Sequence, residues 1–600
     1  MRLYIAEKPS MGREIAKCLE GPVRSHDGWL ETAEGAVTWG FGHILRQKEP
    51  EEYSEKYKFW RTEDLPIVPA EWQLVVASSA ARQFRIVKDL IARADEIVHA
   101  GDPDREGQLL VDEVLDYLGN EKPVRRILIN ALDDKSIHDA LGDLRDNSDF
   151  LPLKRSALAR ARADWLIGMN LSRAYTLAAR RAGHDRLVLP IGRVKTPTLA
   201  LVVRREREIE NFKPATYYLL DAVFCHEKSG ESFHARWKPS EERTPLDPEG
   251  RLVDEKAARA ALEAFGGAPQ DAQITRYERK KKEEPPPLPF SLSALQVLAG
   301  KRYGYEPQQV LDTAQKLYEE KLTSYPRSDA EYLPVSQHKD APKILGNLAA
   351  LDGSELSAWA READAKQKSR AWNDAKISAH HAIIPTTVPV NLARLSEMER
   401  NIYGLIARAY IAQFHPNYVY DQTKVEVTYH GELFAASGRT ERAAGWRAMY
   451  RTGKSETEDA EKEDEESAVL PPMKKGDAAN YVSADLSTRQ TKPPSRFTPA
   501  TLLQGMKEIH KYVKDEAAKK MLRDVSGIGT EATRASIIED LIRRKFLNAA
   551  GKKKVLTPTA EAYLLIDALP DTMTYPDATA VWEDRLHSMA QGEGTPEEFL

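Results

Sequence analysis

Cysteine is almost absent from this 600-residue sequence, which contains only Cys18 and Cys225 and no Cys-x-x-Cys pair. Zinc ribbons built on cysteine pairs are therefore excluded, and nothing predicts a disulfide framework. Such cysteine usage is typical of a reducing compartment, so we expect a cytoplasmic protein.

Long apolar runs are also missing. No stretch approaches the roughly 18–20 apolar residues that span a bilayer, so we expect no membrane contact. Residues 1–8 lack the apolar core of a signal peptide and predict a strand that begins at once. Residues 595–600 have a helical pattern, and we expect the natural chain to continue beyond them.

Positive charge is not in excess. The net charge is −5 and the pI about 6.3, so any nucleic-acid binding must come from local basic surfaces. Hydrophobic residues make up 42% and charged residues 30% of the chain, as in globular proteins. A chain of this length predicts roughly three to five domains.

Three carboxylates follow the predicted strand Ile97–Ala100 at spacings of two: Asp102, Asp104 and Glu106. A helical pattern comes next, so they lie in a strand-to-helix turn. Acidic residues at a helix start complement its dipole, but three within five residues repel one another unless a cation neutralises them. Mg²⁺ is held by a few carboxylates together with waters and phosphate oxygens. The turn therefore predicts a Mg²⁺–phosphate site.

A fourth carboxylate, Glu7, ends another predicted strand, Leu3–Ala6, and is followed by Lys8. Open α/β sheets bind ligands at the carboxyl ends of their strands, which would bring Glu7 to the same site. A surface ion pair in a loop is the alternative that these two residues leave open.

Tyr325 lies directly after a predicted helix, in the segment Leu-Thr-Ser-Tyr-Pro-Arg-Ser-Asp at 322–329. Pro326 fixes its own φ and favours an extended Tyr325. A tyrosine can be a covalent nucleophile, and the fork of Arg327 can grip a phosphate. The segment thus predicts a tyrosine held beside a phosphodiester, although an ordinary core or surface tyrosine is the alternative.

Residues 154–195 contain ten lysines or arginines against two acidic residues. A basic stretch within an acidic protein favours a groove for a phosphate backbone, with a solvated helix face as the alternative.

Two further motifs lie towards the C-terminus. His380 and His381 are adjacent, so their side chains do not share a face; contact of one of them with phosphate or base is favoured over joint metal binding, and both can be structural. The glycine turn at 527–529 leads into a predicted helix whose N-terminus can bind phosphate.

The order of these motifs resembles the type IA DNA topoisomerases. Glu7 with the Asp102–Glu106 turn resembles a Toprim domain, and Trp39–Leu45 (Trp-Gly-Phe-Gly-His-Ile-Leu) resembles an insertion of that family. Residues 164–173 and 191–199 resemble segments that line its single-strand groove. The sequences Pro-Leu-Pro-Phe-Ser-Leu-Ser-Ala-Leu-Gln at 287–296 and Ala-His-His-Ala-Ile-Ile-Pro-Thr at 379–386, with the lack of zinc ribbons, resemble the topoisomerase III branch.

The resemblance implies a multidomain fold: an α/β Toprim domain, helical domains and a β-rich arch that closes a toroid. The implied Toprim domain is 1–153, and the implied helical tyrosine domain is 285–404. The helical single-strand-groove domain has two parts, 154–215 and 496–600. The arch also has two parts: 216–284, with a candidate decatenation loop at 238–251, and 405–495, with an acidic loop at 455–466.

The resemblance also implies a reaction. Tyr325 would attack phosphorus to form a 5′-phosphotyrosine, a second strand would pass through the break, and reversal would reseal it without ATP, in keeping with the absence of a Walker A motif. This would relax negative supercoils and decatenate DNA. The implied site residues are the catalytic Tyr325, Glu7 (general acid), Lys8, Arg327 and His380, and the Mg²⁺ ligands Asp102, Asp104, Glu106 and Glu7.

Single-stranded DNA is the implied substrate. The implied DNA contacts are Arg162, Asn170, Arg173, Arg193, Lys195, Ser328, Thr530 and Arg534. Lys195 stands where many family members have glutamine. A RecQ-type helicase and a single-stranded DNA-binding protein are implied partners of a nucleoid-associated monomer.

Two other functions remain open at this point. A Toprim-type nuclease would activate water at the Mg²⁺ site and leave Tyr325 as a core residue. A non-catalytic scaffold would bind single-stranded DNA without changing its topology.

Overall fold

The computed structural model describes residues 1–185, 187–240, 246–267, 271–351, 353–377, 380–451, 469–517, 519–520 and 527–600. The acidic loop 455–466 lies outside the described residues, as do residues 241–245 of the candidate decatenation loop. Within the described ranges, no helix combines the length and the apolar character needed to cross a bilayer.

A seven-stranded sheet organises the N-terminal part of the chain. Its region contains the strands β1 (Arg2–Ala6), β2 (Arg24–His26), β3 (Trp29–Glu31), β4 (Gly35–Trp39), β5 (Leu45–Gln47), β6 (Leu74–Val76), β7 (Glu96–Ala100), β8 (Val124–Arg126) and β9 (Arg145–Asp146). The order in the sheet is β2-β3-β4-β1-β7-β8-β9, while β5 and β6 form a separate pair. Strands β1 and β7 are parallel neighbours with Ala6 opposite Ala100. Glu7 and Asp102 therefore leave the same edge of the sheet.

Helices cover both faces of this sheet: α1 (Pro9–Cys18), α2 (Pro50–Tyr53), α3 (Ala81–Arg93), α4 (Arg105–Tyr117) and α5 (Asp134–Leu141). Helix α4 begins because Asp104 caps it, accepting a hydrogen bond from the Gly107 amide at 2.6 Å. Apolar side chains of α3 and α4 pack on one face, and those of α1 and α5 on the other. Tyr318 and Tyr325 join the second of these clusters, so the tyrosine segment packs against the sheet domain.

The rest of the chain alternates helical layers with long strands. The remaining helices are α6 (Leu151–Arg181), α7 (Lys195–Glu210), α8 (Glu255–Phe265), α9 (Leu292–Tyr303), α10 (Pro307–Glu319), α11 (Ala341–Ala349), α12 (Glu355–Glu362), α13 (Glu397–Ala412), α14 (Pro499–Lys507), α15 (Arg534–Arg543), α16 (Ala560–Ala568), α17 (Asp571–Thr574), α18 (Asp577–Ala590) and α19 (Pro596–Phe599). The remaining strands are β10 (Thr216–His226), β11 (Ser232–Lys238), β12 (Ala272–Glu284), β13 (Tyr418–Tyr429), β14 (Glu432–Ala443), β15 (Ala478–Gln490), β16 (Leu547–Ala550) and β17 (Val555–Pro558).

A closed barrel joins two separated parts of the chain, in the order β10-β11-β14-β13-β12-β15. Its interior is aromatic: Phe224 contacts the rings of Phe233, Tyr429, Phe434 and Tyr481 at centroid distances of 5.3–6.1 Å. Alternation of buried and exposed residues along β11 and β13 puts such side chains on the inner face.

Two helical layers flank the barrel. One core cluster unites residues of the 189–203 region with residues from 497 to 580, and another unites α9 to α13. The predicted boundary at 404 falls inside α13, whose Ile411 and the following Phe414 still belong to the second cluster, so this layer extends to Phe414. The predicted boundary at 153 similarly falls inside α6, which begins at Leu151.

Candidate active site

Tyr325 lies in a segment that is hydrogen-bonded to two other parts of the chain. Its amide donates to the carbonyl of Asn130 in the sheet domain at 2.7 Å. The neighbouring Ser324 amide donates to the Ile384 carbonyl at 2.9 Å, and the Ser324 hydroxyl to the Ala382 carbonyl at 3.2 Å. The tyrosine segment is thus pinned to the sheet domain and to the strand-like stretch that follows His380.

The Tyr325 hydroxyl lies between the two aspartates of the acidic turn. It donates to Asp104 Oδ2 at 2.8 Å and approaches Asp102 Oδ2 at 3.3 Å. Tyr325 is only 2% exposed. Burial, and then the negative charge of Asp102, raise the pKa of Tyr325 well above its ordinary value. The hydroxyl keeps its proton in this arrangement, so attack on phosphorus requires positive charge nearby and an acceptor for that proton.

Glu7 and Lys8 reach the same place from β1. Glu7 Oε2 accepts a hydrogen bond from the Asp102 amide at 3.2 Å, and Lys8 Nζ lies 3.3 Å from Asp102 Oδ2 and 3.7 Å from Glu7 Oε1. Burial, followed by the charge of Asp102, raises the pKa of Glu7 to about 8. Burial, followed by the charge of Glu106, raises the pKa of Asp104. The surface ion pair considered for Glu7 and Lys8 is wrong, because Glu7 is 5% exposed and faces the aspartates.

The donor set fits Mg²⁺ better than a transition metal. Asp102 and Asp104 converge on one hydroxyl, and Mg²⁺ uses one or two carboxylates plus waters and phosphate oxygens. Within the described ranges, no group of three His, Cys, Asp or Glu side chains forms a metal cage. The Glu106 carboxylate lies 3.3 Å from Arg160 Nη1 and is shared with that cation.

His380 and Arg327 also lie near Tyr325. His380 stacks on the Tyr325 ring with centroids 5.4 Å apart, and its Nδ1 lies 3.4 Å from Asp329 Oδ1. Burial is the largest single influence and lowers the pKa of His380, but the hydrogen bond with Asp329 and the charges of Asp329, Asp104 and Asp102 together raise the pKa above its ordinary value. His380 Nε2 and Arg327 Nε are both buried and have no hydrogen-bond partner among the described residues. Two unsatisfied donors beside a tyrosine hydroxyl are what a bound phosphate would complete.

Arg126 is a positioning residue that the sequence patterns did not reveal. Its guanidinium is wholly buried and donates to the carbonyls of Gly101 and Asp102 and to Gln108 Oε1, each at 2.8 Å. These bonds fix the backbone of the acidic turn. The signal in the sequence is an arginine ending a short strand, which reads as an ordinary surface position until the tertiary contacts are known.

A cavity of about 370 Å³ opens from these groups towards the C-terminal helices. Thr530, one of the predicted DNA contacts, lines it, and its hydroxyl lies 2.9 Å from that of Thr533.

The other predicted DNA contacts are engaged with other residues of the same chain in this conformation. Arg193 bonds Glu583 and Asp164, Lys195 bonds Asp540, and Arg534 bonds Glu531 and Ser293. Asn170 and Arg173 bond backbone carbonyls of Ile67 and Tyr57, Ser328 donates to the His381 carbonyl, and Arg162 lies over the Trp72 ring. The structure thus does not bring these seven side chains to one open groove, and their contact with DNA stays a prediction.

Arg534→Met tests whether Arg534 is structural. Its guanidinium is fully buried, so the change leaves the Glu531 carboxylate without its cation. We expect the free energy of unfolding to fall by about 3–5 kcal/mol, measured by urea titration. The control is Arg544→Met, directly after the same helix, since Arg544 is exposed and its pair with Asp540 contributes about 0–1 kcal/mol. Unchanged stability with weakened single-strand binding would instead indicate direct DNA contact.

Two family models match the chain: one described as DNA topoisomerase over residues 150–600, and one described as Toprim domain over residues 2–132. The chain is 44% identical to DNA topoisomerase 3 of Vibrio cholerae, over 98% of this chain and 91% of that protein. It is 44% identical to DNA topoisomerase 3 of Salmonella typhimurium over 100% and 91%, and 34% identical to that of Bacillus subtilis over 98% and 78%.

A solved structure of full-length topoisomerase I from Thermotoga maritima is similar in fold. The TM-score is 0.70 at 20% identity, covering 100% of this chain and 88% of that one. The predicted fold class, a Toprim domain with helical domains and a β-rich arch closing a toroid, is confirmed.

Proposed function

The chain belongs to the type IA DNA topoisomerases, in their topoisomerase III branch, and from this premise we propose that Tyr325 is the residue that cuts the DNA strand. The activity is the ATP-independent isomerisation of DNA topology. The observation that carries the residue assignment is the buried Tyr325 hydroxyl, which contacts the carboxylates of Asp104 and Asp102, together with the unpartnered buried nitrogens Arg327 Nε and His380 Nε2 on nearby residues.

The cleavage step exchanges one phosphodiester for another. The Tyr325 oxygen forms a bond to phosphorus, the bond from phosphorus to the 3′-oxygen breaks, and the strand ends as a 5′-phosphotyrosine and a 3′-hydroxyl. Asp104 Oδ2, at 2.8 Å, is the acceptor for the phenol proton. Glu7, beside Asp102, is the donor of a proton to the leaving 3′-oxygen. The reverse transfers reseal the strand, and since the energy of the bond is conserved, no ATP is needed.

Lys8, Arg327 and His380 supply positive charge and hydrogen bonds to the phosphate oxygens. Arg327 Nε and His380 Nε2 are the buried donors that await such a group, and charge-assisted bonds of this kind stabilise the transition state. Asp102 and Asp104, with Glu7 and Glu106 at the margin, would hold Mg²⁺, which supplies further charge stabilisation at the phosphate when bound.

The substrate that fits this site is single-stranded DNA. Tyr325 is buried where the tyrosine segment packs against the sheet domain, and we infer that the phosphate of one separated strand, rather than a duplex, reaches it. We expect backbone contacts with some base stacking, and hence strong dependence of binding on salt. The finer activities, relaxation of negative supercoils and decatenation with a contribution from loop 238–251, rest on the family resemblance.

We extend the proposal to partners and place of action. A helicase of the RecQ type and a single-stranded DNA-binding protein would expose and protect the single strands that the site needs. The closed barrel and the internal active site support a monomer, and the DNA substrate supports action at the nucleoid in the cytoplasm.

Trapping the covalent complex tests the proposal. The protein is mixed with end-labelled single-stranded DNA and Mg²⁺ and quenched with denaturant. With the label at the 3′ end of the DNA, the expected result is a labelled downstream fragment joined to the protein through its 5′ phosphate, whose retarded mobility is lost on protease treatment. Free ends at every cleavage would indicate the nuclease, and intact DNA with unchanged plasmid topology would indicate the scaffold.

Strand passage requires the tyrosine domain to move away from the sheet domain, and Lys321 is a latch across that boundary. Lys321 Nζ lies 2.6 Å from Glu14 Oε2 and 3.1 Å from Asp134 Oδ1, and the backbone of Lys321 has a φ of 65°. Lys321→Met should shorten the closed lifetime by up to about thirtyfold at low salt, since the change removes two part-exposed pairs that each contribute about 0–1 kcal/mol.

Single-molecule gate-opening records with a tethered strand measure this lifetime, and adduct formation on a short oligonucleotide should not change. Lys339→Met is the control, because Lys339 is 63% exposed and its Nζ lies as far as 3.9 Å from the Asp139 carboxylate, so this pair is weak. Equal effects of both changes at every salt concentration would contradict the latch.

A further inference from the structure

A set of buried hydrogen bonds lies beneath the acidic turn, and Gln108 is at its centre. Gln108 is wholly buried near the start of α4. Its Nε2 donates to Asp112 Oδ2 and to Asn147 Oδ1, each at 2.8 Å, and its Oε1 accepts from Arg126 Nε at 2.8 Å. The side-chain amide thus uses both its donors and its acceptor, which fixes it in one orientation.

Two sets of contacts lead from Gln108 back to the acidic turn. Its side chain holds Arg126, whose guanidinium donates to the carbonyls of Gly101 and Asp102 at 2.8 Å each. Its backbone carbonyl lies 3.0 Å from His99 Nε2, and His99 Nδ1 accepts from the Gly101 amide at 3.2 Å. Because an amide N–H can only donate, the neutral His99 carries its proton on Nε2 and donates to Gln108. Both sets of contacts end on the backbone that carries Asp102.

The acidic turn and the first turn of α4 are in close backbone contact. A Cβ added at Gly107 would lie 2.3 Å from the Asp102 carbonyl oxygen, and one added at Gly101 would lie 2.3 Å from the Gly107 carbonyl oxygen. The turn therefore has no space in which to shift by itself. A displacement of Gln108, the next residue along α4, is transmitted to the backbone of Asp102.

Asn147 connects the same hydrogen bonds to the start of the long helix α6. It is buried in the short turn that directly precedes α6, and its Nδ2 donates to Asp112 Oδ1 at 2.8 Å. Gln108, Asp112 and Asn147 thus close a ring of three hydrogen bonds. The acidic turn is braced against a second element of structure, and this support does not involve the tyrosine segment.

We propose that Gln108 is a positioning residue that sets the Mg²⁺ affinity of the acidic turn. This inference rests on the proposed assignment of Mg²⁺ to Asp102 and Asp104. Gln108 acts on these carboxylates through Arg126 and His99, which hold the backbone of the turn. Groups that orient metal ligands in this way change metal affinity by about 10–100-fold when they are removed, because the ligands must then be ordered at the moment of binding.

The change Gln108→Met tests the proposal. Methionine keeps the length and apolar volume of the side chain but makes none of its three hydrogen bonds. Mg²⁺ affinity, measured by calorimetry, should fall by about 10–100-fold. The Mg²⁺ concentration for half-maximal relaxation should rise by the same factor, and saturating Mg²⁺ should restore most of the wild-type rate.

The metal-free protein provides a readout that is independent of activity. Exchange of the Gly101 amide hydrogen reports the bond to His99 Nδ1. This amide should exchange faster in Gln108→Met than in wild type. The amides of α1, on the other face of the sheet, should exchange at the wild-type rate.

Gln83→Met is the matched control. Gln83 is another buried glutamine of the sheet domain, and its Nε2 donates to the carbonyls of Gly28 and Trp39 and to the Thr38 hydroxyl at 2.8–3.1 Å. None of these groups belongs to the acidic turn. The control should lower the melting temperature about as much as Gln108→Met does, but Mg²⁺ affinity and exchange of the Gly101 amide should stay as in wild type.

Asn147→Ala is a second test, which remains if Gln108→Met does not fold. It removes one side of the ring and leaves Gln108 bonded to Arg126. Mg²⁺ affinity should therefore fall in the same direction by a smaller factor.

The outcomes separate this inference from the assignment on which it rests. No Mg²⁺ binding in wild type, or binding that the double change Asp102→Asn with Asp104→Asn leaves intact, would overturn the Mg²⁺ assignment. Wild-type Mg²⁺ affinity in both Gln108→Met and Asn147→Ala, or an equal loss of affinity in Gln83→Met, would overturn the role of Gln108 alone.

Discussion

Replacing Tyr325 with phenylalanine is expected to remove the covalent DNA adduct and to lower relaxation by at least about 10⁴-fold, because the attacking oxygen itself is deleted. The ring remains, so the contacts with His380 at 5.4 Å and Tyr318 at 5.7 Å are kept. Adduct formation on labelled single-stranded DNA and relaxation of negatively supercoiled plasmid measure the two effects. Binding of the uncut strand should change little.

Tyr318→Phe is the matched control. Tyr318 is equally buried, touches the Tyr325 ring edge-on, and its hydroxyl has no hydrogen-bond partner among the described residues. Removing an unsatisfied buried hydroxyl is neutral or stabilising, so activity should persist. An adduct that survives in Tyr325→Phe but disappears in Tyr318→Phe would move the nucleophile to the neighbouring helix.

The combined change Asp102→Asn with Asp104→Asn is expected to have the second large effect, a loss of Mg²⁺-dependent relaxation. It preserves shape but removes two negative charges and the acceptor of the Tyr325 hydroxyl. We expect Mg²⁺-dependent relaxation to fall by about 10²–10³-fold, since a metal supplies several kcal/mol of charge stabilisation at a phosphate. Relaxation is measured over a Mg²⁺ titration, and Mg²⁺ binding by calorimetry.

Asp116→Asn controls for the loss of a carboxylate, because Asp116 lies in helix α4, directly after the acidic turn. Asp116 is 61% exposed and pairs with Lys154 away from the site, so its loss should not change the Mg²⁺ dependence. Full activity of the double variant would remove the metal assignment from Asp102 and Asp104.

The sequence predicted the acidic side of the site because the end of a strand can be recognised from a few neighbouring residues. Glu7 and Asp102 each follow a short apolar strand, and parallel pairing of β1 with β7 brings them together. Family membership and fold class, also predicted, are confirmed by the comparisons.

The basic stretch was harder to interpret because its counter-charges are remote in sequence. Arg193 meets Glu583, which is 390 residues away, and Lys195 meets Asp540, which is 345 away. No local pattern identifies such partners. A run of basic residues that suggests a DNA groove can therefore form ion pairs that hold the two halves of one helical layer together. The stacking of His380 on Tyr325 is hidden for the same reason.

The closed barrel determines where the ring can bend. Each of its six strands has two hydrogen-bonded neighbours, so shear inside the arch would break ladder bonds along its length, and the arch behaves as a stiff frame. Motion is then confined to the short connections at its ends, 211–215, 285–289, 413–417 and 491–494. All four contain proline, which limits the directions each joint can take. The gate therefore opens by rotation at a few short connections around a stiff barrel. Because so few motions are allowed, closing the gate brings the two cut ends of the strand back into alignment.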